Sequence, residues 1–83
     1  MTFELYTDAV LTRDLPEKGL CAGDVVKIVD HHEHPVPGGE EGYSIEVFNT
    51  VGDTIAVTTV PQSSLEPLQP NEVFSVRKLA AAA

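Results

Sequence analysis

The residues with the greatest capacity for chemistry form one short run, His31-His32-Glu33-His34. In an extended strand, side chains two residues apart share a face, so His32 and His34 could both reach one metal ion. Glu46 on a neighbouring strand could supply a third ligand, and binding would depend on pH because the imidazoles must be neutral. The same imidazoles could instead respond to pH, or simply be solvated beside Pro35. The run therefore gives one hypothesis, a metal or small-ligand site with His32 and His34 as ligands.

The other reactive side chains do not form a catalytic set. A catalytic thiol needs an activating base and a positive environment, whereas Cys21 is followed closely by Asp24. Glu40 and Glu41 lie in a predicted Gly-rich turn, which would not hold the fixed geometry of acid–base catalysis. The sequence contains no phosphate-binding loop, nucleophile elbow or dinucleotide fingerprint. We therefore expect neither an enzyme nor a cofactor.

Charge and length restrict the remaining classes of function. The 83 residues suffice for one small domain, and 5 Lys and Arg against 13 Asp and Glu give a net charge of −8. Such a balance repels phosphate backbones, so nucleic-acid binding is not expected. No apolar run approaches the roughly 20 residues of a membrane span. A single cysteine forms no internal disulfide, so a cytoplasmic location is expected.

The strongest candidate for recognition is an acidic loop, residues 13–24, between the first two predicted strands. Asp14, Glu17 and Asp24 lie in this loop, and a groove lined by such residues would favour a basic partner. The leading hypothesis is thus a non-enzymatic module that associates with a basic protein through these three carboxylates. The alternative use of the acidic surface is solubility alone.

The elements that must position these groups are short and β-branched. Stretches rich in Val, Ile and Thr alternate with clusters of Gly, Pro, Asp and Asn at intervals of about ten residues, which is typical of a small all-β protein. Residues 43–49 alternate in character, and a turn at 51–54 predicts antiparallel pairing with the next strand. Phe48 is expected in the core. The five predicted strands are 8–12, 25–32, 43–49, 54–60 and 65–68.

The connections carry further predictions. Leu15 and Leu20 should fold back from the acidic loop to cap one mouth of a barrel, because two exposed leucines would be unfavourable in so polar a loop. Residues 34–42 should form a turn or exposed hairpin tip, since their prolines and glycines disfavour helix and central strand. Gln62, Ser63 and Ser64 should form one 3₁₀ turn before the last strand.

A longer segment resembles a known family. It begins with Leu11-Thr12-Arg13-Asp14-Leu15-Pro16-Glu17-Lys18-Gly19-Leu20. The segment continues through Ala22-Gly23-Asp24 and a Val-rich strand, and the likeness covers about residues 5 to 68. It resembles the bacterial domain-of-unknown-function family numbered four-nine-two-six, which implies a small SH3-like five-stranded barrel without established enzymatic activity. The resemblance supplies no site residues. Val26 stands where the family often has glycine, and residues 31–42 form a longer, more histidine-rich segment than is usual. Within the likeness, Asp14-Leu15-Pro16 followed by Gly19-Leu20 is the most specific part.

The predicted organisation is a barrel over residues 1–68 and a C-terminal extension over 69–83. In the extension, Val73, Phe74 and Val76 could form an extra strand, although a short helix also fits their spacing. The alanine run at the end is expected to be poorly ordered. An extra strand could pair within its own barrel or with the edge of a neighbour, so the sequence is compatible with a monomer or an edge-paired dimer.

Overall fold

The computed structural model describes residues 2–79, and this part of the chain is all-β, as predicted. Its strands begin where the β-branched stretches begin and end at the Gly, Pro and Asn clusters between them. The only helical elements in the described residues are two 3₁₀ turns, Pro16–Lys18 and Gln62–Ser64. The strands are β1 (Asp8–Leu11), β2 (Val25–His32), β3 (Gly42–Phe48), β4 (Thr54–Pro61) and β5 (Leu65–Pro67).

The five strands form one antiparallel sheet in the order β4-β3-β2-β1-β5. Strands β3 and β4 pair along their full length, from Gly42 opposite Pro61 to Phe48 opposite Thr54, which confirms the predicted hairpin. The 3₁₀ turn Gln62–Ser64 follows β4 directly and leads the chain to β1, where β5 pairs. Consequently β4 and β5 are the two outer strands of a sheet that is not closed, so the predicted barrel is not confirmed.

The core lies on one face of the sheet, where period-two alternation places the apolar side chains. Tyr43 is fully buried, and its ring meets Phe3 edge to face with centroids 5.4 Å apart. The Phe3 backbone N–H donates a hydrogen bond of 3.1 Å to the Tyr43 hydroxyl oxygen, so the N-terminal segment is held against the core. The buried apolar residues are Phe3, Ala9, Leu11, Leu20, Val26, Ile28, Tyr43, Ile45, Val47, Val60 and Leu65.

One core prediction was wrong. Phe48 is 42% exposed, because the alternation that buries Tyr43, Ile45 and Val47 turns Phe48 to the opposite face of β3. The two leucines of the acidic loop do fold back towards the core, as predicted. Leu20 is buried, and Leu15 packs partly buried against the core.

The chain after β5 carries no strand pairing within its described part, residues 68–79. The extra strand predicted around Val73 and Phe74 is therefore not formed, although the segment is not helical either. The predicted disorder of the alanine run falls on residues 80–83, which lie outside the described residues. Among residues 2–79, no helix has the length and apolar character needed to cross a membrane.

Candidate functional site

The acidic loop is a compact, internally bonded structure. Leu15 and Leu20 bond to each other through both backbone groups, with N–H to carbonyl distances of 2.9 and 3.1 Å. Between them, Pro16 begins a 3₁₀ turn and Gly19 ends it in the left-handed region with φ of 70°, a conformation that suits glycine. Because Leu20 is only 2% exposed, the two-leucine closure ties the loop to the core.

Two of the predicted carboxylates are held in place by backbone amides within this loop. Asp14 Oδ1 accepts a hydrogen bond of 2.8 Å from the Ala22 N–H. Asp24 Oδ2 accepts one of 2.8 Å from the N–H of Cys21, three residues earlier in the chain. The third carboxylate, Glu17, is exposed on the 3₁₀ turn. The loop therefore presents Asp14 and Asp24 in fixed positions and Glu17 on a separate, solvent-facing turn.

A cation from the C-terminal extension already lies on Asp24. The Arg77 guanidinium donates from Nε to Asp24 Oδ1 at 2.9 Å and from Nη2 to Asp24 Oδ2 at 2.6 Å. Arg77 Nη2 also donates to the Gly19 carbonyl oxygen at 3.2 Å. The planar guanidinium thus pairs with both carboxylate oxygens at once, which is the geometry that favours arginine over lysine. The site is a guanidinium site with one carboxylate and one carbonyl.

The electrostatics of the two partners agree with this pairing. Burial alone would raise the pKa of Asp24, whose side chain is only 16% exposed. Hydrogen bonds from Arg77 and from the Cys21 backbone, together with the positive charge of Arg77, outweigh burial and leave the pKa of Asp24 below its ordinary value. The hydrogen bond to Asp24 raises the pKa of Arg77 further above its usual range, and the negative charge of Asp14 adds to this effect.

A groove of about 790 Å³ runs beside the guanidinium site. One wall is the start of β2 and the end of β3, and the other is the C-terminal extension from Val73 to Leu79. Lys27 lies in this groove and pairs with Asp8 at 3.0 Å. The groove is partly apolar because Val25, Phe48 and Ile55 also line it.

The two histidines proposed as metal ligands, His32 and His34, make separate local contacts in the structure. His32 Nε2 lies 2.7 Å from the Ser44 hydroxyl on β3, and Ser44 lies 3.1 Å from the Thr59 hydroxyl on β4. His34 Nδ1 accepts a hydrogen bond of 3.1 Å from the Val36 N–H, within its own loop. Each ring therefore satisfies a local structural partner, and the two predicted ligands have separate roles.

Glu46, the third ligand of the metal hypothesis, lies elsewhere in the sheet. His32 is opposite Gly42 in the sheet, whereas Glu46 is opposite Lys27, towards the other end of β3. Glu46 Oε2 instead accepts a hydrogen bond of 2.6 Å from the Thr54 hydroxyl. Among the described residues, no three His, Cys, Asp or Glu side chains are arranged to hold a metal ion. Within residues 2–79, the structure therefore does not bring His32, His34 and Glu46 together.

Sequence reasoning missed two contacts. Arg77 was assigned no role because nothing local connects it to Asp24, 53 residues away. Glu40 was assigned to a mobile turn, yet its Oε1 accepts a hydrogen bond of 2.5 Å from the Ser63 N–H. Hydrogen bonds from the Ser63 side chain and from its backbone lower the pKa of Glu40. The only signal for Arg77 was its charge, since it is one of five cations in an acidic chain.

Fold and site together define a small antiparallel all-β domain with an acidic, guanidinium-binding loop. The chain belongs to the family described as Domain of unknown function (DUF4926), whose model matches residues 5–67. This match confirms the resemblance on which the sequence analysis relied. The acidic loop lies inside the matched region, and the extension that carries Arg77 lies outside it. No curated protein and no solved structure matches the chain.

Proposed function

We propose that this protein is a non-enzymatic association module that binds a basic protein partner through its acidic loop. The observation that carries the proposal is the guanidinium of Arg77 on Asp24 and the Gly19 carbonyl. A position that binds an arginine of the same chain has the acceptor geometry to bind one from another protein. Asp14 strengthens the attraction, because its carboxylate is fixed nearby by the Ala22 N–H.

The charge of the whole chain supports the same partner. A net charge of −8 attracts a basic protein at long range, and association driven in this way weakens as salt screens it. The acidic loop then gives the encounter a defined position, since Asp24 is oriented before a partner arrives. A partner with clustered arginines, in the cytoplasm, fits both features, and the proposal requires neither catalysis nor a cofactor.

Binding of a fluorescent hexa-arginine peptide to the full chain, measured by polarisation at low salt, tests this function. We expect Asp24→Asn to weaken binding by about tenfold, because a charge-assisted bidentate pair is lost. Glu33→Gln is the matched control. Glu33 is exposed and lies outside the acidic loop, and its substitution removes the same single charge. Equal weakening by the two variants would show that net charge alone drives binding, and this result would contradict the proposal.

A further inference from the structure

The C-terminal extension has the character of a docked ligand rather than of a packed element. Its apolar side chains Val73, Phe74 and Val76 are 91%, 78% and 81% exposed. Little apolar area is therefore removed from water when this segment lies along the groove, and burial contributes little to its docking. The segment instead meets the acidic loop through Arg77, so its position depends largely on one surface ion pair.

An ion pair at the surface holds a segment only weakly. Exposed pairs stabilise by small amounts, and ordering the preceding residues costs conformational entropy. The Arg77 side chain remains 36% exposed in its pair with Asp24. A segment held in this way can leave the groove without disturbing the core, because no core residue belongs to it.

The composition of the extension is also that of an extended peptide ligand. Apolar residues at 73, 74 and 76 precede the basic pair Arg77-Lys78, and the segment is neither helical nor paired in the sheet. Val25, Phe48 and Ile55 also line the groove, but the contact that fixes the segment is the pairing of Arg77 with Asp24, since Val73, Phe74 and Val76 remain exposed. The two surfaces therefore complement each other in charge.

We propose that the groove and Asp24 form a binding site for an extended peptide segment that presents an arginine to Asp24, and that residues 73–79 occupy this site in cis. The inference rests on the proposed function and specifies the partner's binding segment. The partner's arginine takes the place of Arg77, and the extension is displaced. Because the extension is tethered, it competes at a high effective concentration and lowers the apparent affinity of the partner.

The experiment uses the full chain with Arg77 replaced by Ala and a labelled, end-blocked synthetic peptide that copies residues 69–79. Removing Arg77 leaves Asp24 without its partner from the same chain. We therefore expect the R77A chain to bind the peptide at least about fivefold more tightly than the unaltered chain. Lys78→Ala is the matched control, because it removes a neighbouring positive charge and leaves the Arg77 pair in place. The K78A chain should bind like the unaltered chain.

A second peptide, with lysine in the position of the arginine, tests the chemistry of recognition. Lysine cannot make the bidentate pair, so the R77A chain should bind this peptide several-fold more weakly. Equal affinities of the unaltered, R77A and K78A chains would overturn competition in cis. Equal binding of the arginine and lysine peptides would overturn the arginine requirement. Neither result affects the hexa-arginine experiment, whose failure alone would contradict the association function. Circular dichroism of the R77A chain confirms that an exposed substitution leaves the fold intact.

Discussion

The acidic loop and the β2–β3 connection, residues 33–41, are the two irregular regions rich in ionisable groups, and they are built in opposite ways. The acidic loop is closed by Leu15 and Leu20, and Leu20 reaches the core. The β2–β3 connection is exposed, with Val36 at 60% exposure, and His34 folds back onto its own backbone at Val36. The acidic loop is fixed by the core, whereas the β2–β3 connection is held by its own backbone and by hydrogen bonds from the 3₁₀ turn Gln62–Ser64.

This difference explains why the carboxylates, and not the histidines, make the candidate site. Backbone amides of the acidic loop fix Asp14 and Asp24 and leave Asp24 able to bind a guanidinium. In the histidine run, His32 and His34 are both engaged in holding the structure together. A residue type capable of chemistry becomes a site only where its framework leaves the reactive atoms available and fixed.

The largest expected effect tests how strongly each of the two regions is attached to the core. Leu20→Ala should lower the free energy of unfolding by about 2–5 kcal/mol, because it removes a buried side chain and leaves a cavity. Val36→Ala should change it by less than about 0.5 kcal/mol, because Val36 is exposed. Urea unfolding followed by far-ultraviolet circular dichroism measures both. Similar losses for the two variants would show that the β2–β3 connection is also tied to the core.

A smaller effect tests whether the β2–β3 connection is held by its own histidine. A Cβ atom at Gly39 would lie 2.1 Å from His34 Nδ1, so Gly39→Ala must displace the ring and break its hydrogen bond from Val36. The expected cost is about 1 kcal/mol of unfolding free energy. In a His34→Ala background the same substitution should cost almost nothing, and a double-mutant cycle measures this difference. An undiminished cost in that background would mean that His34 does not organise the loop.

The smallest effect concerns pH and the acidic loop. The pKa of Asp24 is lowered in the folded state, so its ion pair stabilises the protein above the ordinary aspartate pKa of about 4 and ceases to do so as the pH falls below that value. The difference in unfolding free energy between the unaltered chain and Asp24→Asn should therefore shrink towards pH 2. Glu33→Gln controls for the loss of one charge. A difference that persists at pH 2 would contradict the role of the carboxylate charge.

Much of the fold follows from local patterns. The alternation at residues 43–49, the turn at 51–54 and the 3₁₀ turn after Pro61 each have a local physical cause, and each prediction was confirmed. The sequence identified Asp14 and Asp24 of the candidate site as acidic residues of the loop. It did not predict their positions, because the amides of Cys21 and Ala22 that hold them depend on the path of the loop. The misplacement of Phe48 arose because hydrophobicity was given more weight than strand alternation.

The sequence by itself determined the strands, the turns between them and the acidic character of the loop, because each follows from neighbouring residues. Tertiary structure alone decided which charged groups meet. Arg77 reaches Asp24 only because β5 pairs with β1 and the chain then returns past the start of β2. The same long-range geometry separates His32 from Glu46. Contacts between residues distant in the chain depend on the order of the strands in the sheet, which the pattern within one strand or turn does not specify.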